Sequence, residues 1–248
     1  MKIKIAALIS LFFIPSKIKN FFLRLLGWQI EANAYIGFSY IKSNTISLAQ
    51  GVKIKHGNFI NVDSLNLSKN SYIQSFNYIS GPIQIELKKK AAIGNLNRII
   101  RAKYPGSWGD SKLFLGELSK ITSRHYIECG QSIIFGNFSI LAGSGSQMWT
   151  HGFVHAADGP ERYRVDGSIQ IGNNVYIGSN SVFNPGIKIC NATTIGSNST
   201  VTKSITEPGL YVNQPLRKIV IDYEKGLNKY PKIDLPESAG IVLHKKND

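Results

Sequence analysis

From Ile169 to Ile205 the chain repeats every six residues: Ile171, Ile177, Phe183, Ile189, Ile195 and Val201 form one series, and Ile169, Val175, Ser181, Ile187, Thr193, Ser199 and Ile205 form a second. Few folds can use such a step. A helix repeats its apolar face at three- and four-residue intervals and a half-buried strand alternates, so a sustained step of six requires one short strand and one corner per repeat. Gly172, Gly178 and Gly196 each follow an apolar position, where the chain must bend. The expected fold class is an all-β solenoid whose coils stack at the sheet spacing of about 4.8 Å.

Upstream the same step appears in broken form. Leu48, Ile54 and Ile60 keep it, Leu67, Ile73, Ile79 and Ile85 resume it one residue later, and Ile93 and Ile99 follow a further slip. Slips of one or two residues are what corners and small bulges introduce, so the solenoid is expected over 31–205. Two stretches leave the register, 101–124 and 148–168. The first holds Pro105, Gly106 and Gly109, with Tyr104 and Trp108 as either an acceptor-facing surface or padding over a coil edge. Between them, Ile127, Cys129, Ile133 and Phe135 superpose on Ile169, Ile171, Val175 and Ile177 as an internal repeat. Residues 206–248 read as a cap and tail.

Residues 1–30 carry an apolar run from Ile5 to Ile14, then Pro15, then Lys17, Lys19 and Arg24 among Ile18, Phe21, Phe22, Leu23, Leu25 and Leu26. The run is shorter than the roughly 20 residues a bilayer span needs. A secretory signal is the competing reading, but no small-x-small cleavage site follows. An amphipathic helix is expected, either lying in a membrane interface through residues 1–28 or capping the solenoid.

Lys and Arg total 29 against 15 Asp and Glu, a net charge of +14. That suits a polyanionic partner such as a membrane face, an acidic glycan or a phosphorylated cofactor. No recognition-helix, zinc-finger or RNA-binding signature accompanies the charge, so no nucleic acid is expected. Cys129 stands in the apolar register and Cys190 out of it, which reads as two separate free thiols.

The excursion at 148–168 is polar and holds His151 and His155, with Asp158, Glu161, Arg162 and Arg164 close behind. Imidazole accepts a proton near neutral pH, so a histidine at a coil edge beside an acid is a candidate general base. No third histidine or cysteine is spaced to complete a zinc site, and no metal is expected.

Thr150 with His151, the run DGPER over 158–162, IQIGNNVYIG over 169–178, NPGIKI over 184–189, VTK over 201–203 and VNQPLRKI over 212–219 resemble the maltose, galactoside and nodulation-factor O-acetyltransferases. The N-terminal helix ending in LLGW resembles their relatives in polysaccharide and O-antigen biosynthesis. The resemblance implies a left-handed parallel β-helix of hexapeptide repeats, a homotrimer with its active site between subunits, and acetyl-CoA as co-substrate. It implies His151 as the base; His155, four residues on, is a departure from the family pattern and a second candidate for that role, with Glu161 as an acid that orients either one. Tyr176, Ser181, Thr202, Lys203, Arg217 and Lys218 are assigned to the cofactor, and Trp149, Asp158 and Arg162 to the acceptor. The chain departs from the family's closing Gly-x-Pro-Ala at Asn213, Gln214, Pro215 and Leu216. The expected activity is O-acetylation of a sugar hydroxyl in a bacterial surface glycan, at the cytoplasmic membrane face. N-acetylation of an amino sugar and a γ-type carbonic anhydrase on the same solenoid are the alternatives.

Overall fold

The computed structural model describes residues 1–102, 111–213, 223–229, 231–233 and 243–244. Tyr104 and Trp108 lie outside the described residues, as do Arg217 and Lys218. The chain forms two compact units, 1–213 and 214–248, so residues 206–213 belong with the solenoid rather than with the tail.

The first unit is a parallel β-solenoid of about nine turns. Its coils have three faces, each lined inside by stacked apolar side chains, the first by a second column as well, Ile46, Leu65, Ile85, Leu113, Ile133 and Ile169. The first face carries Leu48, Leu67, Leu87, Leu115, Phe135, Ile171 and Ile189. The second is a nine-stranded parallel sheet with Ile36, Ile54, Ile73, Ile93, Ile121, Leu141, Ile177 and Ile195 inside. The third carries Ile41, Ile60, Ile79, Ile99, Ile127, Met148, Phe183 and Val201. These side chains are almost wholly buried, each contributing about 1.5–3 kcal/mol of apolar burial. The first and third faces join into one sheet because the strands Tyr40–Leu48 and Phe59–Leu67 run through the corner between them. That continuity is how the upstream coils absorb their slips of register.

The sequence self-similarity and the stacking differ by one hexad. Ile133 and Phe135 lie over Ile169 and Ile171, whereas the sequence alignment placed them over Val175 and Ile177. Any hexad resembles any other, so similarity fixes the register only to a multiple of six.

One buried corner is polar. Asn58 Oδ1 accepts from the backbone and side-chain amides of Asn77, and Asn77 Oδ1 does the same for Asn97. Asn97 Oδ1 then accepts from His125 N, and His125 Nδ1 from Ser146 N. Backbone groups at this corner point away from the sheets and would otherwise be unsatisfied.

The N-terminus forms two helices rather than one, α1 (Lys2–Leu11) and α2 (Ser16–Leu25), separated at Pro15. They close the open end of the first coil with Ala6, Ala7 and Ser10 of α1 and Lys19, Asn20 and Leu23 of α2. Ser10 Oγ accepts from Ile41 N and Ser10 O from Ser39 N; Ser16 Oγ accepts from Ile36 N. Lys19 Nζ donates to Gly37 O and Ser10 O, and Asn20 Nδ2 donates to Ala34 O. An exposed strand edge presents unpaired backbone groups, and these contacts satisfy them. Burial lowers the pKa of Lys19 below the usual lysine value. Leu23 joins the core from this side, with Ile9 and Leu26 packed against it, but most of the bulky apolar residues face out: Phe13 is 89 % and Leu25 67 % exposed, beside exposed Leu8, Phe12, Ile18, Phe21 and Phe22. Among the described residues no helix is long and apolar enough to cross a membrane.

The second unit contains a helix, Tyr223–Lys229, and an antiparallel strand pair that sets Lys232 against His244 and Ile233 against Leu243.

Candidate active site

After Met148 the chain leaves the third face and forms an antiparallel hairpin, His151–His155 against Arg162–Asp166, before rejoining the first face at Ile169. The strand His151–His155 begins at the solenoid wall, so His151 sits at the corner between the third and first faces. His155 pairs with Arg162 four positions out along the hairpin.

Beneath His151 lies Glu128, from the coil below. Glu128 is buried, and its Oε2 accepts from Thr150 N at 3.1 Å and from Thr150 Oγ1 at 2.6 Å. Thr150 is itself fully buried and its hydroxyl also accepts from Gln131 N. His151 Nδ1 is shielded from solvent and lies 3.0 Å from the same Oε2, close but not aligned as a hydrogen bond in the single chain. Such contacts commonly tighten only when substrate is bound. The His151 side chain is 26 % exposed, and with Nδ1 covered, Nε2 is the nitrogen left for a ligand. Phe153 stands edge-on to the imidazole at 5.9 Å, and Arg162 and Arg164 lie over the Phe153 ring. Arg164 Nε is paired with Asp166 at 2.8 Å.

Gly130 explains how the carboxylate fits. A Cβ there would stand 2.7 Å from Glu128 Oε1 and 3.2 Å from Thr150 Oγ1, so any side chain would displace one of them. Cys129, between the two, is buried, and burial beside the Glu128 carboxylate pushes its thiol well above the usual range. Both cysteines are free, as the register suggested.

The structure distributes the sequence-derived candidates as follows. Glu161 lies with His155 in a cleft at the far end of the hairpin, lined also by Val154, Pro160 and Tyr163, and it does not reach His151. The acid beside His151 is therefore Glu128. Sequence reasoning missed it because it sits 22 residues before Thr150, one coil away, and proximity in sequence favoured Glu161. Its signal was a lone carboxylate between Ile127 and Cys129, in a strand otherwise destined for the core. Asp158 and Arg162 are exposed on the hairpin, and Trp149 is half-buried at the wall. Thr202 and Lys203 are exposed and follow Val201, which stacks on Phe183 and through it on Met148. They thus share the His151 corner two coils on, about 10 Å away by the sheet spacing. Tyr176 is exposed on the second face. Ser181 is turned inward, fully buried, its hydroxyl donating to Gly178 O, so it presents nothing to a bound cofactor. Among the described residues no three His, Cys, Asp or Glu side chains gather to hold a metal ion.

Residues 168–203 match the model of the bacterial transferase hexapeptide, six repeats. The chain is 28 % identical over 186 residues to the bifunctional protein GlmU of Thermodesulfovibrio yellowstonii, covering 73 % of this chain but 36 % of that protein. It is 30 % identical over 114 residues to a probable macrolide acetyltransferase of Lysinibacillus sphaericus, covering 38 % of this chain and 63 % of that one. Among solved structures, a maltose O-acetyltransferase from Clostridium difficile 630 aligns at 27 % identity over 51 % of this chain and 65 % of that chain, with a TM-score of 0.38.

Proposed function

We infer that this chain, a parallel β-helix of hexapeptide repeats, is an acetyl-CoA-dependent O-acetyltransferase acting on a sugar hydroxyl of a bacterial surface polysaccharide. The observation that carries the reading is His151 at the solenoid corner, with Nδ1 set over the buried Glu128 carboxylate. The matched transferase repeats and the relative named an acetyltransferase support the same class.

In this reading Nε2 of His151 takes the proton of the acceptor hydroxyl as that oxygen attacks the thioester carbonyl of acetyl-CoA. The tetrahedral intermediate collapses, the C–S bond breaks, and the sulfur leaves with a proton returned from the imidazole. No acyl-enzyme is needed, because two bound reactants held in line react directly once the alcohol is deprotonated. Glu128 holds the ring orientation and stabilises the imidazolium that forms midway. Lys203, on the same corner, suits the phosphates of the coenzyme. A homotrimer would bring the second face of one protomer against this corner in the next, and so add Tyr176 to the crevice. The apolar outer side of α1 and α2 supports a place on the cytoplasmic membrane face, where lipid-linked acceptors are assembled.

The test is release of free CoA from acetyl-CoA by wild type, His151→Ala and Glu128→Gln, with neutral, acidic and amino-sugar acceptors. His151→Ala is expected to lose about a hundred- to ten-thousandfold in kcat, and Glu128→Gln to lose at least about tenfold with KM for acetyl-CoA unchanged. Wild-type turnover by His151→Ala would end the proposal, and turnover confined to amine acceptors would replace O- with N-acetylation.

A further inference from the structure

The outer surface of the third face carries a column unlike those of the other two. Tyr40, Phe59, Tyr78, Arg98 and Tyr126 stack in register on consecutive coils, with Gln147 as the next rung. Tyr40 and Phe59 lie 5.0 Å apart and nearly parallel, and Phe59 and Tyr78 lie 5.1 Å apart. The Arg98 guanidinium sits 4.9 Å over the Tyr78 ring. Tyr126 packs on Trp149 at 5.0 Å, and Trp149 Nε1 donates to Gln147 Oε1. The corresponding column of the first face runs through Ser47, Asn66 and Glu86 to Phe114, and that of the second alternates Tyr35, Lys53, Tyr72 and Ala92. Neither is continuous in character.

Cross-strand aromatic pairs stabilise a sheet by about 0.2–1 kcal/mol each, and that alone would account for two or three rings anywhere on the solenoid. It does not account for where this ribbon goes. One end lies on the strand Tyr40–Leu48, against which α1 packs. The other ends at Trp149, two residues before His151. Between them it spans about 24 Å, five sheet spacings. Phe59 and Tyr78 remain 37 % and 40 % exposed, although the rings cover one another's faces. The ribbon therefore offers ring edges, the hydroxyls of Tyr40, Tyr78 and Tyr126, and one guanidinium, with no carboxylate in the column.

We propose that this column is a track for an extended glycan chain carrying acidic groups, laid from the helical end of the solenoid to the His151 corner. The positively polarised ring edges suit the oxygens of a sugar chain, evenly spaced hydroxyls suit a repeating polyol, and Arg98 pairs with a carboxylate or phosphate on the chain. The rung interval is comparable to one pyranose unit, so successive sugars meet successive rungs. This deepens the acetyltransferase reading by giving the polysaccharide acceptor an acidic character and a defined path along the third face, and it rests on that reading for its direction toward His151.

The test is calorimetric binding of hyaluronan and maltose oligosaccharides, each as a disaccharide and a decasaccharide, to wild type, Phe59→Ala with Tyr78→Ala, Tyr78→Phe and Arg98→Gln. Wild type is expected to bind the acidic decasaccharide about tenfold more tightly than the disaccharide, about 1.4 kcal/mol. The double variant loses that length dependence and Arg98→Gln the preference for acid, while Tyr78→Phe preserves the stack and keeps the control folded. Length-independent binding, or no binding of either decasaccharide by wild type, overturns the track. So does dissociation of the oligomer by the double variant, which would make the column a contact between copies. Because binding is read without turnover, loss of CoA release alone bears on the acetyltransferase reading and not on the track.

Discussion

His125 occupies the corner position that asparagine holds in the three coils before it, Asn58, Asn77 and Asn97. Its Nδ1 accepts from Ser146 N at 3.2 Å, and its Nε2 lies 3.0 Å from Thr122 Oγ1, whose own proton goes to a carbonyl. The ring is thus neutral and protonated on Nε2, and a second proton on Nδ1 would break the rung above. Burial holds its pKa down to about 4. The unfolded chain takes up that proton near pH 6.5, so between about pH 6.5 and 4 the unfolded state binds more protons and stability falls as the pH falls. From neutral pH to pH 5 the loss is about 2 kcal/mol, approaching about 3 kcal/mol at the lower limit. His125→Asn keeps the corner acceptor and removes the titration. Urea unfolding followed by circular dichroism from pH 7.5 to 5 should show wild type losing about 2 kcal/mol more than the variant. Parallel pH dependences of the two proteins, or an imidazole titrating near 6.5 by NMR in folded wild type, would refute the reasoning.

Gly130→Ala is expected to fold, because the atoms it meets are side-chain ends, yet to displace Glu128 or Thr150 and lower kcat by at least about tenfold; an unchanged kcat would remove Glu128 from the mechanism. Vesicle flotation should retain wild type on anionic liposomes and release Leu8→Asp with Phe13→Asp, with weaker retention at high salt through Lys2, Lys4 and Lys17. Equal flotation of the two proteins would assign the apolar side of α1 and α2 to another contact. Lys19→Met leaves Gly37 O without its donor, and Ser10 O with Ser39 N alone, and should cost about 1–3 kcal/mol in thermal unfolding, while Lys17→Met, exposed, should cost nothing measurable.

The solenoid was legible because a six-residue period admits few folds, and the inward columns follow it through every regular coil. The hairpin was legible as an excursion, and His151 as the histidine nearest the wall. Three things were not. Coil stacking could not be read to better than one hexad, since Ile133 looks as much like Val175 as like Ile169. Glu128 was hidden because the solenoid brings together residues a full coil apart, and a long inserted hairpin makes the acids within it seem nearer. The orientation of α2 was hidden because its amphipathic pattern says that one side is apolar, not which side meets the protein. The unpaired edge of the first coil decides that, by drawing Lys19 and Asn20 inward beside Leu23.

A stack of identical rungs has no intrinsic stopping point: each new strand presents the same template for the next, and two bare ends would adhere as readily as two neighbouring turns. The serine, lysine and asparagine that occupy the donors and acceptors of the first turn therefore act as a terminator. They keep a molecule built on fibre-forming principles from polymerising end to end. The same seal leaves the number of turns adjustable, because whole rungs inserted behind it would lengthen the particle without uncovering its end.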